Sequence, residues 1–264
     1  MSAIPHDYYL KFTERTVLSD VIEFHSKGNY SLHKAFNDMS YLHNINTINL
    51  EILTGKEIHL YPDMHLSIPL SDPLNVQPHF VRYESFDNFT DTQIPFSKIE
   101  ELICPLLHTR KDTYKRGYPS GGALYPIETF ICALGDPPDD WPCAERVLHL
   151  LPTSRAFERV QNTLNSDILK KSILPIASTI GTPNLAIIYV AYLPKTLFKY
   201  RYRGYRLALM EAGSIYMLIE LCAKSLALRC RLWTGFTDTM LCKALGLNPA
   251  IFSPLCVHFI GKEK

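Results

Sequence analysis

Two segments of this 264-residue chain, residues 116–128 and 199–206, combine side-chain types that suggest chemistry. The first reads RGYPSGGALYPIE and leads directly into an apolar run. Gly121 and Gly122 lack a Cβ, so the backbone there can approach a flat ligand or adopt a positive φ, while Ser120 adds a hydroxyl. The segment therefore predicts a cradle for a planar heteroaromatic cofactor whose polar edge needs backbone N–H groups. An ordinary turn before a strand is the alternative.

The second segment, KYRYRGYR, alternates cations with tyrosines and opens a long helical pattern. That pattern is apolar on nearly every side and is interrupted only by Glu211, Glu220 and Lys224. A helix so apolar must be covered by other elements or by another subunit. Cations at the head of a buried helix are unusual, because Lys and Arg rarely leave water without a partner. A solvated basic edge with buried aliphatic stems is the alternative.

The elements that must position these segments follow from periodicity and turn signals. Ser97 and Glu100 have the spacing of a capping box that would start a helix. Helices are predicted over 17–25, 32–42, 97–107, 154–163, 167–178 and 205–228, and from 238 to about 246. Strands are predicted over 57–61, 66–70, 129–134, 146–151, 185–192, 230–234 and 254–261. Helices mixed with a mostly antiparallel sheet predict an α+β domain.

The chain divides by pattern into an N-terminal appendage, residues 1–75, and a main domain, residues 76–264. Prolines at 69, 73 and 78 mark the connector. The appendage has no residues arranged for chemistry, so we expect it to be a docking surface or a lid.

Composition excludes several classes of function. A formal net charge of +1 gives no basic face for nucleic acid. No apolar run reaches the roughly eighteen residues of a membrane span and no secretory pattern opens the chain, so a cytoplasmic protein is expected. The seven cysteines form no Cys-x-x-Cys pair and the histidines are dispersed, so no metal site is predicted.

Four motifs together resemble the SagB-type dehydrogenases, a branch of the nitroreductase-like flavoproteins. They are RGYPSGGALYPIE, KYRYRGYRLALMEAGSIY, WTGFTD at 233–238 and the closing strand 254–261. Within that branch the chain is most similar to the FMN-dependent azoline oxidases of microcin-type synthetases, from about residue 95 to the C-terminus. The resemblance implies a nitroreductase-like core, and FMN bound across a homodimer interface at which the long helix lies.

The resemblance also implies roles for particular residues. Lys199 and Tyr200 fall where the family has its catalytic pair. The isoalloxazine would lie against the residues of the glycine-rich turn, which are Pro119, Ser120, Gly121, Gly122 and Ala123. Trp233 and Gly235, with Asp238, would close the far side of the pocket, although Trp233 fits an ordinary core position equally well.

The phosphate site departs from the family pattern. Nitroreductase-like proteins carry Arg-x-Ser-x-Arg-x-Phe before the first core helix, whereas residues 83–89 here read YESFDNF. An acidic residue, Asp87, stands where an arginine is expected, so this segment is a poor phosphate anchor. The candidate replacements are Arg116, Arg201, Arg203 and Arg206, and the family's Tyr-Arg-Gly-Tyr-Arg favours the last two.

The implied reaction converts thiazolines and oxazolines of a precursor peptide to thiazoles and oxazoles. A neighbouring ammonium favours a phenolate and burial favours a neutral amine, so either Tyr200 or Lys199 could accept the proton. A cyclodehydratase and a leader-peptide-binding scaffold are the implied partners. Two alternatives remain open: a free-standing NAD(P)H-dependent nitroreductase and a flavin-free scaffolding subunit.

Overall fold

The computed structural model describes residues 5, 7–29, 46–55, 57, 60, 70–109, 115–160, 166–174 and 180–263. The described helices are α1 Arg15–Ser26, α2 Thr47–Gly55, α3 Pro73–Val76, α4 Phe96–Ile103, α5 Ser166–Ile173, α6 Pro194–Tyr200, α7 Tyr202–Ser225 and α8 Asp238–Ala244. The described strands are β1 Ile127–Ala133, β2 Val147–Leu151, β3 Ala156–Arg159, β4 Leu185–Tyr192, β5 Arg229–Trp233 and β6 Phe252–Gly261.

The chain forms two compact units, a smaller one of residues 31–81 and a larger one of residues 1–30 and 82–264. The end of the smaller unit is near the predicted boundary at residue 75, but α1 belongs to the larger unit. Val17 and Val21 of α1 are 1% and 5% exposed, and they pack into the main core. Of the other elements predicted in residues 1–75, the helix 32–42 and most of the strands 57–61 and 66–70 lie outside the described residues.

A six-stranded antiparallel sheet in the order β3-β2-β1-β4-β6-β5 organises the larger unit. All eight residues of β4 are buried, as expected for a central strand covered on both faces. Successive strand residues point to opposite faces, so Ile127 and Ile131 pack on the α4 and α7 side, while Phe130 packs on the α5 and α8 side. This confirms the predicted α+β architecture.

The helix predicted over 154–163 is wrong. Residues 156–159 form β3, which pairs antiparallel with β2 in the register Leu148↔Arg159. Arg155, at φ 52°, turns the chain between the two strands. Pairing with a neighbouring strand therefore outweighs local helical periodicity, and residues 161–165 lie outside the described part of the chain.

The predicted capping box is also wrong, although the helix it marks is present as α4. The helix begins at Phe96, so Ser97 lies inside its first turn and makes no capping hydrogen bond. Both carboxylate oxygens of Asp140 instead accept from the Phe96 N–H at 2.9 Å. A side chain distant in sequence thus satisfies the free amides of the first turn.

The long helix predicted over 205–228 is α7, and it follows α6 after a sharp break at Arg201, which has φ 49°. Gly204 lets the two helices touch, since a Cβ there would lie 2.8 Å from the Thr196 carbonyl carbon. One stripe of α7 is buried, and on another face Met210 is 68% exposed. No helix among the described residues is long and apolar enough to cross a membrane.

Candidate active site

The glycine-rich turn has an unusual backbone conformation. Gly121–Ala123 form a single 3₁₀ turn in which Gly122 has φ 63° and Ala123 has φ 54°. The Ser120 hydroxyl oxygen accepts a hydrogen bond from the Tyr125 N–H at 2.9 Å. Side chains with a Cβ seldom adopt positive φ, so this local fold depends on glycine at 122 and on bonds that fix its flanks.

Arg116 and two tyrosines hold the flanks of the turn. The Arg116 N–H donates to the Tyr125 hydroxyl at 3.0 Å, and Arg116 Nη1 donates to the Tyr118 hydroxyl at 2.7 Å. The guanidinium also lies 4.3 Å from the centroid of the Tyr125 ring, within cation–π range. Arg116 was a candidate phosphate ligand, but in the structure its side chain braces the turn.

The turn meets the lysine–tyrosine pair, although the two segments are about eighty residues apart in sequence. A Cβ built on Gly122 would collide with Tyr200 Oη and would lie 3.2 Å from Lys199 Nζ. Lys199 Nζ lies 5.3 Å from the centroid of the Tyr200 ring. The structure therefore brings an amine, a phenol and a side-chain-free backbone together at one place.

The arginines of the second segment differ in their surroundings. Arg201 forms an ion pair with Glu14. Arg203 and Arg206 are exposed, and within the described ranges neither has a hydrogen-bond or ion-pair partner. They lie three residues apart on one face of α7, at the helix N-terminus, where free N–H groups and the helix dipole attract anions.

The segment that departs from the family pattern has a structural role here. Asp87 forms an ion pair with Arg231 of β5, and the Phe86 N–H donates to the Cys230 carbonyl at 3.0 Å. The acidic residue thus fastens residues 86–87 to the sheet.

Trp233 and Gly235 are not brought to the turn within one chain. Trp233 Nε1 donates to the Ile173 carbonyl at 2.9 Å, and its ring packs against the core on the α5 and α8 side. Gly235 lies against that same ring. Asp238, the first residue of α8, is also buried.

Glu211 is a site residue that pattern reasoning missed. It lies on α7 one turn after Leu207, whose side chain is 2.8 Å from a Cβ built on Gly121, and it is only 2% exposed. Neither carboxyl oxygen has a hydrogen-bond partner of normal geometry in the described part of the chain. Burial raises the pKa of Glu211 to about 7, despite the opposing effects of Ser120, the Ile127 N–H and Arg116. The sequence signal that could have identified Glu211 is a carboxyl side chain within the apolar helical pattern after residue 205.

A second carboxyl, the half-buried Glu128, is ionised. Burial alone would raise its pKa, but Lys195 at 3.3 Å and His149 at 3.2 Å lower it to about 2. His149 also contacts Glu158 at 2.8 Å. Burial alone would lower the pKa of His149, but the two carboxylates raise it. The network joins β1 and β2 to the start of α6, the helix that carries Lys199.

Comparisons of the sequence and of the fold with known proteins both find similarity to microcin B17 proteins. No protein-family model matches the chain. It is 36% identical over 253 residues to the Escherichia coli microcin B17-processing protein McbC, covering 95% of this chain and 92% of that protein.

Among solved structures, a chain of the E. coli microcin synthetase McbBCD complex with truncated pro-MccB17 bound has a TM-score of 0.88 at 34% identity, covering 99% and 98% of the two chains. A candidate nitroreductase of Ralstonia eutropha has a TM-score of 0.57 at 16% identity, covering 76% and 87%. The predicted nitroreductase-like fold is therefore confirmed.

Proposed function

This chain belongs to the family of the microcin B17-processing protein McbC, and from that premise we propose that it oxidises the azoline rings of a ribosomally made precursor peptide to azoles. Thiazolines would become thiazoles and oxazolines would become oxazoles. The observation that carries the proposal is the approach of Lys199 and Tyr200 to the backbone of Gly122. A proton acceptor and a surface for a flat cofactor lie together there.

The reaction removes a proton from the ring carbon that was an amino-acid Cα and a hydride from the adjacent CH₂. Bound FMN would supply the hydride acceptor. Lys199 or Tyr200 takes the proton, and a lysine that keeps its charge stabilises the negative charge left on the ring. Because both side chains extend over the same turn, they need no large movement to reach a ring placed against it.

The residues present fit FMN. Gly122 has no side chain and lies between Pro119 and Ala123, so its backbone can contact a flat ring beside Lys199 and Tyr200. Arg203 and Arg206 at the N-terminus of α7 suit a phosphate, because guanidinium groups and free helix N–H groups both bind one.

Assembly completes the proposed site. Leu209 and Met210 are exposed on α7 at 42% and 68%, and we propose that a second copy of the chain covers them in a homodimer. Since Trp233 and Gly235 do not reach the turn of their own chain, their predicted contact with the flavin requires that second copy.

The proposed partners are the precursor peptide, a cyclodehydratase and a leader-peptide-binding scaffold. Residues 1–75 are the proposed docking or lid region, and Ile48 and Leu53 of α2 are exposed at 71% and 66%. A cytoplasmic location is proposed because all seven cysteines are free thiols, as is usual in a reducing compartment.

Mass spectrometry of a cyclised peptide incubated with the purified chain and its partner subunits tests the function. Each ring should lose two hydrogen masses while oxygen is consumed, and an uncyclised peptide should keep its mass. Unchanged ring masses together with NAD(P)H-driven reduction of nitroarenes would support the nitroreductase alternative. A colourless protein that cannot be reconstituted with FMN would support the scaffolding alternative.

A further inference from the structure

Glu211 is buried on the face of α7 that packs against the glycine-rich turn. Leu207, one helical turn earlier on α7, packs directly on Gly121, so Glu211 lies on the same face below the turn. Burial raises the pKa of its carboxyl, and the Ser120 hydroxyl and the Ile127 N–H oppose this rise, although neither forms a hydrogen bond of normal geometry with it in the described part of the chain. These two residues lie at the beginning of the turn and just beyond its end.

Among the residues that the structure describes, no cation is bonded to Glu211. Arg116 and Lys195 act on it through space, but it forms no ion pair within the described ranges. Tyr118 also faces it, and burial raises the pKa of Tyr118, so the hydroxyl stays neutral. A carboxylate at 2% exposure without a bonded cation is costly, and protonation removes that cost.

Ser120 links this carboxyl to the shape of the turn. Its oxygen already accepts from the Tyr125 N–H at 2.9 Å, so its hydroxyl proton is free to be donated to Glu211. A bond there would fix the side chain next to Gly121 and Gly122.

We propose that Glu211 is a positioning residue that holds the glycine-rich turn in its flavin-binding conformation through Ser120 and the Ile127 N–H, and that it does so as the neutral acid. This inference depends on the proposed flavin function. An ionised Glu211 places an unbalanced charge beneath the turn and close to the bound anionic cofactor, so deprotonation weakens flavin binding.

The test is the Kd of FMN for the full-length chain, measured by flavin fluorescence between pH 6 and pH 8. With a pKa of about 7, the neutral fraction of Glu211 falls from about nine-tenths to about one-tenth across this range, so the wild-type Kd should rise about tenfold. Glu211→Gln keeps the shape and neutrality of the acid. Its Kd should stay close to the wild-type value at pH 6 and should lack this tenfold rise.

Glu220→Gln is the matched control. Glu220 is a second buried carboxyl on α7. Burial alone would raise its pKa, but His258 and Arg82 lower it, so Glu220 is ionised throughout this range. This variant should keep the wild-type pH profile. The FMN phosphate and His149 titrate alike in all three proteins, so their effects cancel in the comparison.

A measurement on the wild type alone covers the case in which Glu211→Gln does not fold. A buried neutral carboxyl has an infrared C=O band distinct from that of a carboxylate, and it should be present at pH 6 and lost by pH 8. A flat wild-type Kd, a pH-dependent Glu211→Gln Kd equal to that of the wild type, or no such band at pH 6 would overturn the inference.

The failures of the two proposals can be told apart. FMN affinity that follows pH as described, with azoline rings left unoxidised, would support the role of Glu211 and reject the proposed reaction. Oxidised rings with a pH-independent FMN affinity would reject the role of Glu211 alone. No FMN binding at any pH would reject both.

Discussion

Lys199 and Tyr200 end α6, and the break at Arg201 turns the chain away immediately afterwards. Neighbouring helical residues point about 100° apart, yet the long side chains of both residues reach Gly122 of the glycine-rich turn. The same break starts α7, so the arginines at its N-terminus follow the pair directly.

Removing either member of the pair should slow azoline oxidation. We expect Lys199→Ala and Tyr200→Phe each to lower the oxidation rate by roughly 10²- to 10⁴-fold, the usual contribution of a positioned proton acceptor. FMN should remain bound, which flavin absorbance of the purified variants would report.

Tyr202→Phe is the control for Tyr200→Phe, because Tyr202 is two residues away and its exposed hydroxyl donates to Asp20 at 2.6 Å. It should oxidise peptide at nearly the wild-type rate. Full activity in both Lys199→Ala and Tyr200→Phe would refute the catalytic assignment.

Gly122→Ala should damage the site through its backbone. An alanine at φ 63° costs roughly 1–2 kcal/mol, and its Cβ would displace Tyr200. We expect lower thermal stability and weaker FMN binding. Gly213→Ala is the control, because a Cβ there meets only Tyr216 at 3.9 Å and alanine favours a helix by up to about 1 kcal/mol. Equal stability and FMN affinity in the two variants would exclude a special role for Gly122.

At the scale of elements, the cap on α4 comes from Asp140, and this can be measured. Asp140→Ala should lower the free energy of unfolding by about 1 kcal/mol, within the usual range of 0.5–2 for an N-cap, because two amides of the first turn lose their acceptor. Ser97→Ala, which would break the predicted capping box, should change stability little. Denaturant titration checks both, and the reverse order would restore the sequence prediction.

Most elements could be predicted from the sequence because their signals are local. The apolar run at 185–192 is β4, and the apolar stripe after 205 is α7. β3 was missed because it forms by pairing with β2 after the turn at Arg155, which periodicity does not report.

The site residues also fall into those with a local sequence signal and those that depend on tertiary packing. The residue types of the turn and of Lys199–Tyr200 were recognisable in the sequence, and the predicted relation to the microcin-type synthetases is confirmed by the 36% identity to McbC. Pattern reasoning could not foresee that Arg116 braces the turn, because this depends on how its side chain meets Tyr118 and Tyr125. Nor could it foresee that Glu211 lies beneath the turn, because this depends on how α7 packs against it. The flavin contacts themselves remain predictions.

At the scale of the molecule, Glu128 should make stability depend on acid. Its pKa is near 4.5 when unfolded and about 2 when folded, so its contribution is complete above pH 4.5 and is lost as pH falls toward 2. The contribution is about 3 kcal/mol at most, and less in practice since the side chain is 21% exposed.

Glu128→Gln should therefore be less stable than the wild type at pH 6, with the difference vanishing near pH 2, as followed by urea unfolding at several pH values. Glu158→Gln removes the other carboxylate beside His149. Because the Glu158 side chain is 60% exposed, this change should have a much smaller effect on stability. A Glu128→Gln deficit that stays constant with pH would contradict the assignment.

The ion pair between Asp87 and Arg231 has a consequence for how copies of this protein meet. β5 is an edge strand, and the ion pair holds residues 86–87 along its open side. This helps to cover backbone groups that could otherwise pair with a strand of another molecule. The opposite margin is β3, only four residues long and carrying Glu158 and Arg159 in the open. Fibre-like growth is discouraged at both margins, which leaves association to the helical surfaces.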